Sequence, residues 1–150
     1  LDVVGRRFQE VFSQLFGGGT AQIVLTDPDN ILTGGIDFYI QPPGKKRQQL
    51  TLLSGGERAL TVIALLFSFL DYRPAPFCVL DEVDAALDEA NVERFSSYLN
   101  RINKETQFIV VSHRKKTMEA VEVLQGVTMV ERGVSRLLTV AFEDVKEDLA

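Results

Sequence analysis

Three short stretches hold residue types that could do chemistry together. Asp81 and Glu82 stand side by side directly after the apolar run Phe77-Cys78-Val79-Leu80. His113 ends a second apolar run that starts at Phe108. Ser54-Gly55-Gly56-Glu57 opens a third, longer one. Adjacent carboxylates repel unless a cation or a reaction uses them. On a chemical reading, Asp81 holds Mg2+, usually through water, and Glu82 orients and deprotonates an attacking water. On a structural reading, one of the two simply caps the segment that follows. A lone histidine is ordinarily structural. At the carboxyl end of a strand running parallel to one that ends in Asp-Glu, however, His113 would reach a terminal phosphate or the attacking water.

Ser54-x-x-Glu57 is a literal capping box, in which the serine accepts from the backbone N–H of Glu57 and the glutamate reaches back. The box accounts for Ser54 and Glu57 but not for two glycines in one helical turn, each costing about 1 kcal/mol relative to alanine. A first turn without side chains admits close approach, and its free N–H groups suit an anion such as phosphate. Asp84-Ala85-Ala86-Leu87-Asp88 follows the carboxylate pair. Asp88 is placed to start a helix at Glu89. Acids this close to a phosphate site are also expected to meet a partner surface.

The rest of the chain bounds these readings. It has 150 residues, enough for one domain with a real core, and its 45% hydrophobic and 25% charged residues are ordinary for a globular protein. The net charge of -5 leaves no global basic field. Nucleic-acid contact would have to be local, at Lys45-Lys46-Arg47 or Arg114-Lys115-Lys116, and such clusters are more often solvated surface. One cysteine, Cys78, and one histidine exclude an internal disulfide, argue against a Cys/His metal site and fit a reducing cytoplasm. The longest apolar run, Leu60 to Leu70, is too short to span a bilayer. The first residues read as no signal peptide. The chain begins with Leu, which suggests a processed product or an excised fragment.

Periodicity supplies the elements that would position the site. Residues 2 to 16 read as an amphipathic helix with Val4, Phe8, Val11, Phe12 and Leu15 on one face, stopped by Gly17-Gly18-Gly19. Ala21 to Thr26 and Gly35 to Gln41 read as a strand pair. Gly55 to Leu70 reads as a helix apolar on most sides and largely buried, ended by Pro74 and Pro76. Phe77–Leu80 and Phe108–Val111 have the pattern of strands buried on both faces, with an amphipathic helix from Glu89 to Asn103 between them. Arg114 to Ala120 reads as a short helix. Val123 to Val130 and Val134 to Phe142 read as strands around Glu131-Arg132-Gly133. The expected fold is α/β, a mostly parallel sheet with flanking helices plus an antiparallel strand pair near the N-terminus.

In order, these features resemble the second half of an ABC-type ATPase head: signature motif, Walker B, D-loop and switch histidine. The wording narrows the resemblance. "LSGGERAL", "PFCVLDEVDAALDEANVERF" and "QFIVVSHRKKTME" look like the SMC (structural maintenance of chromosomes) family, as do "FQEVFSQLFGGG" and "QPPGKK". Transporter ATPases usually have Gln where Glu57 stands and Pro where Val83 stands. The wording looks bacterial, and the resemblance weakens only in the acidic tail from Glu143 on.

No G-x-x-x-x-G-K-[ST] occurs, so nothing here can cradle the α and β phosphates. The resemblance accounts for this, because SMC proteins carry Walker A at the other end of the polypeptide, beyond two coiled-coil arms and a hinge. It implies a C-terminal lobe. Residues 1–16 would be the end of the returning arm, 17–142 the lobe and 143–150 a tail. It implies ATP and Mg2+ as cofactors, with Asp81 holding the metal and Glu82 and His113 catalytic. Ser54, Gly55, Gly56 and Glu57 would touch ATP held by a second head, with Asp88 at the dimer seam. Implied partners are the N-terminal Walker A lobe, a second SMC head, a kleisin meeting the strands from Val123 to Phe142, and DNA. The implied place is the cytoplasm, at the nucleoid. The lobe alone is expected to be inactive and to self-associate through surface the missing lobe would cover. The alternatives are a RecN-type repair ATPase, against which "DEVDAALDEANV" argues, and a protein-binding module without ATPase activity.

Overall fold

The computed structural model describes residues 2–30, 33–102 and 106–141. Helix α1, Asp2–Phe16, follows the expected face: Val4, Phe8, Val11, Phe12 and Leu15 are all buried. It stops in three successive glycines with φ of 71°, 129° and 85°. The Gly18 N–H donates to the Ser13 carbonyl at 2.7 Å, closing the last turn in a Schellman-type stop. Two side chains then fasten the stop to the body. Gln9 donates to the Gly19 carbonyl at 3.1 Å and accepts from the Ala21 N–H at 2.7 Å, and Arg94 donates to the Phe16 carbonyl at 3.1 Å.

Strands β1 (Thr20–Leu25) and β2 (Ile36–Gln41) pair antiparallel, Thr20 opposite Gln41 and Leu25 opposite Ile36. A two-residue strand, β3 (Gln48–Gln49), adds to β2; the sequence pattern gave no sign of so short an element. A 3-10 turn at Leu50–Leu52 leads into helix α2, Gly55–Tyr72. Strand β4 (Phe77–Asp81), helix α3 (Glu89–Ile102) and strand β5 (Gln107–Val111) form a parallel crossover unit, Phe77 opposite Gln107 and Asp81 opposite Val111. Helix α4 (Lys115–Met118) precedes the hairpin β6 (Val123–Glu131) and β7 (Val134–Ala141). The chain is thus mixed α/β as expected. Its parallel component among the described residues is the β4–β5 pair, because one crossover unit yields one parallel pair. Antiparallel pairing extends to two sheets. The acidic tail lies outside the described residues.

Helices α1, α2 and α3 share one core. Phe8, Phe12, Leu60, Ala64, Phe67 and Phe95 are fully buried in it. Phe67 is its centre: it stacks on Phe95 (centroids 6.0 Å) and on Tyr98 (5.1 Å), and meets Phe108 of β5 edge-on at 6.0 Å. Two sequence expectations need correction. Strands β4 and β5 are covered on one face only. Cys78, Leu80, Phe108 and Val110 pack toward the core, whereas Phe77, Val79, Ile109 and Val111 are exposed. Helix α2 likewise leaves Val62, Phe69 and Tyr72 exposed. Continuous apolar runs report that both faces are apolar, and here nothing among the described residues covers the second one. No helix of the described residues is long and apolar enough to cross a membrane.

Candidate active site

The β4–β5 ladder runs one step past Asp81: the Glu82 N–H donates to the Val111 carbonyl at 2.9 Å. Glu82 then leaves the strand in the left-handed region, with φ 48°. Such a conformation in a residue with a side chain costs about 1–3 kcal/mol and persists only where its surroundings enforce it. It turns the Glu82 carboxylate toward the end of β5. There His113 Nδ1 lies 3.9 Å from Glu82 Oε1, both side chains being largely solvent-facing. Asp81, the last residue of β4, is exposed beside them. The structure therefore brings Asp81, Glu82 and His113 to one end of one parallel pair, where open α/β sheets bind ligands.

The loop after Glu82 is tightly turned, with Ala85 N–H donating to the Glu82 carbonyl and Leu87 N–H to the Asp84 carbonyl, each at 3.0 Å. Asp88 ends the loop as the N-cap of α3: its Oδ1 accepts from the Asn91 N–H at 2.8 Å. The helix-starting reading of Asp88 is thus observed, and its side chain is bonded within its own turn. Asp84 departs from expectation. Instead of meeting a partner surface it is fully buried, and its Oδ2 accepts from Ser112 Oγ at 2.6 Å and from Thr117 Oγ1. Arg114, expected in a solvated or nucleic-acid-facing cluster, reaches back instead. Its Nη2 donates to the carbonyls of Ala85 (3.2 Å) and Leu87 (2.8 Å), and its N–H donates to Ser112 Oγ at 2.9 Å. Sequence reading missed this pair because the partners lie about thirty residues apart and become neighbours only once β4 and β5 pair.

At the start of α2 the capping box is complete. Ser54 Oγ accepts from the Glu57 N–H at 3.4 Å, and Glu57 Oε2 accepts from the Ser54 N–H at 3.2 Å and from the Ser54 hydroxyl at 2.8 Å. The other carboxylate oxygen, Oε1, lies 2.8 Å from Lys45 Nζ. The Lys45 hydrogen bond holds the Glu57 carboxyl below its ordinary range; partial desolvation opposes this, and the Ser54 hydrogen bonds reinforce it. The two glycines divide. A Cβ on Gly56 would lie 3.1 Å from the Ala86 carbonyl oxygen, a tight contact that favours a residue without a side chain there. A Cβ on Gly55 would meet nothing within 4 Å. Nothing among the described residues calls for a glycine at Gly55.

Three more residues of the two basic clusters have partners within the chain. Arg47 stacks over Tyr39 at 4.6 Å, and Lys115 and Lys116 face Glu119. Burial raises the Cys78 thiol pKa, which makes it a poor nucleophile. Two open clefts, about 510 and 340 Å3, run beside α3 and are lined by Gln14, Tyr98 and Arg101, with no residue of the carboxylate–histidine site.

The described residues hold no group of three His, Cys, Asp or Glu side chains able to enclose a metal ion. A single carboxylate at Asp81 still fits Mg2+, which keeps several waters and commonly takes one protein carboxylate together with substrate phosphates.

Comparison with known proteins follows the same lines. The family model described as RecF/RecN/SMC N terminal domain matches residues 29–136. Chromosome partition protein Smc of Bacillus subtilis (strain 168) is 62% identical over 140 residues, which is 93% of this chain and 12% of that protein. The chain therefore spans about an eighth of the length of such relatives. A solved structure described as the structural biochemistry of ATP-driven dimerization and DNA stimulated activation of SMC ATPases aligns with a TM-score of 0.87 and 36% identity, over 99% of this chain and 89% of that one. The Smc head domain of Pyrococcus furiosus, with an extended coiled coil and bound to the C-terminal domain of ScpA, aligns with a TM-score of 0.89 and 36% identity, over 99% of this chain and 37% of that one. With a family model matched across most of its length and the fold of SMC heads, the chain belongs to the SMC branch of the RecF/RecN/SMC family.

Proposed function

We propose that the chain is the C-terminal lobe of an SMC ATPase head, supplying the hydrolytic and partner-facing half of a nucleotide site. The observation that carries this is the meeting of Glu82 and His113, 3.9 Å apart, at the carboxyl end of the β4–β5 pair beside Asp81. Glu82 would orient the attacking water and take its proton. His113 would hold that water or the terminal phosphate. Mg2+, held at Asp81 through water, would neutralise phosphate charge. Ser54, Gly55, Gly56 and Glu57 would present the start of α2 to ATP bound by a second head, and Asp88 would lie at the seam between the two. Gly55, with open space around its Cα, is the residue best suited to admit a phosphate there.

The missing half, a Walker A lobe, would cover the open face of β4–β5. Helix α1 would continue a coiled-coil arm. Its relatives' descriptions name ScpA and DNA, and a kleisin at β6–β7 and DNA near engaged heads are the corresponding partners. The work of such a head would be ATP-driven engagement in chromosome condensation and segregation, at the nucleoid in the cytoplasm. Phosphate release from ATP should be absent for this chain alone, appear when a Walker A lobe is added, and vanish again with Glu82→Gln while ATP-bound heads accumulate. Unchanged turnover in Glu82→Gln would refute the role of Glu82. Silence in a folded two-lobe complex would favour the binding-module reading.

A further inference from the structure

Glu82 and His113 sit on different loops, and both side chains are exposed. Neither has a hydrogen-bonded side-chain partner among the described residues. Their placement is therefore set by their backbones, and each backbone is held by the same buried cluster. Asp84, two residues after Glu82, accepts both hydroxyls that flank His113: Ser112 just before it and Thr117 in the helix just after. Arg114, next to His113, returns two hydrogen bonds to the loop that follows Glu82, at Ala85 and Leu87. Asp84 and Arg114 cross-link the same two segments in opposite directions. Both tie down the loop immediately after Glu82, whose left-handed backbone needs external support.

We propose that Asp84 and Arg114 are positioning residues which lock the loop at 82–88 to the turn at 112–117, fixing the water-activating Glu82 against His113. This inference rests on the reading of Glu82 as the base of an ATPase head. It adds that the loop leading to Asp88 and the histidine turn move as one body, so that contact at the partner-facing end of the loop is felt at the hydrolytic end.

Asp84 Oδ2 accepts both hydroxyls, while Oδ1 has no partner among the described residues. Asn is therefore the conservative variant. Its carbonyl oxygen takes both hydroxyls, and its amide occupies the side no donor approaches.

The test uses the complete head in the full-length protein, measuring ATP hydrolysis against ATP concentration, with Glu82→Gln as a control. Asp84→Ala should lower kcat by about tenfold to a hundredfold, the effect of small misplacement of reacting groups, with KM for ATP unchanged. Asp84→Asn should restore most of kcat. Arg114→Met should lower kcat in the same way, and it decides the matter if Asp84→Ala does not fold. Wild-type kcat in Arg114→Met or in folded Asp84→Ala overturns the proposal, and so does equal loss in the Asn and Ala variants. If Glu82→Gln also turns over normally, the ATPase reading itself has failed. If Glu82→Gln is dead while the Asp84 and Arg114 variants are active, only the positioning role is lost.

Discussion

Glu57 carries two tasks on one carboxylate: one oxygen closes the capping box on Ser54, and the other meets Lys45. Its folded-state pKa lies below the ordinary glutamate value of 4.5, chiefly because of Lys45. A depressed carboxylate stabilises the fold fully above its unfolded value, and that contribution fades as pH falls through the lower folded one. The Glu57 side-chain resonance should therefore titrate below 4.5 by NMR, and Lys45→Met should move its midpoint up toward that value. A midpoint indifferent to Lys45 would show the ion pair to be absent in solution. Residue identities of this kind were partly legible in the sequence. Ser54-x-x-Glu57 announces its box, and the meeting of Asp81 and Glu82 with His113 was legible because all three stand at the ends of apolar runs that pair as strands. Lys45 was not legible as the partner of Glu57, since the loop at 42–47 comes beside α2 only after β2 and β3 pair. Nor was the close approach of the Ala86 carbonyl to Gly56 legible, since it depends on a loop about thirty residues away.

At the scale of elements, burial at helical spacing was the most dependable signal. It placed α1 to the residue and α3 from Glu89 to Ile102, its expected last residue, Asn103, lying outside the described residues; Phe8, Phe12, Val92, Phe95 and Leu99 mark their inner faces. Phe67 ties α2 to both α3 and β5, so Phe67→Ala should cost about 3–5 kcal/mol, read as a fall in the urea midpoint. Most of that loss should reappear in Phe95→Ala, which removes the same stacked pair, and the double variant should fall short of the sum. Additive effects would mean the two rings do not share one packing unit. Strand burial was less legible. Alternating exposure along β4 and β5 cannot be seen in residues that are apolar at every position, because the pattern records what each face tolerates and not which cover is present.

For the whole molecule, apolar side chains without cover among the described residues lie on the open face of β4–β5, on α2, and on the β6–β7 hairpin with Val127, Met129, Val130 and Leu137 exposed. Together they describe a body built to be covered, which agrees with a chain spanning 12% of its Smc relatives. In complete heads, Ser54→Arg should leave ATP binding to a single head intact while abolishing ATP-dependent dimers in gel filtration. Dimers that persist in this variant would refute docking of α2 on a second head's nucleotide. The attachment of α1 bears on motion at this scale. Three left-handed glycines in a row resemble a swivel, yet Gln9 and Arg94 bolt the helix to β1 and α3 on either side of them, and a Cβ at Gly19 would lie 2.3 Å from the Gln41 carbonyl oxygen. The joint is seized. A twist applied near Asp2 would not be spent at the glycines: it would arrive as torque on the first sheet and on α3, the helix capped by Asp88, with α1 as the lever.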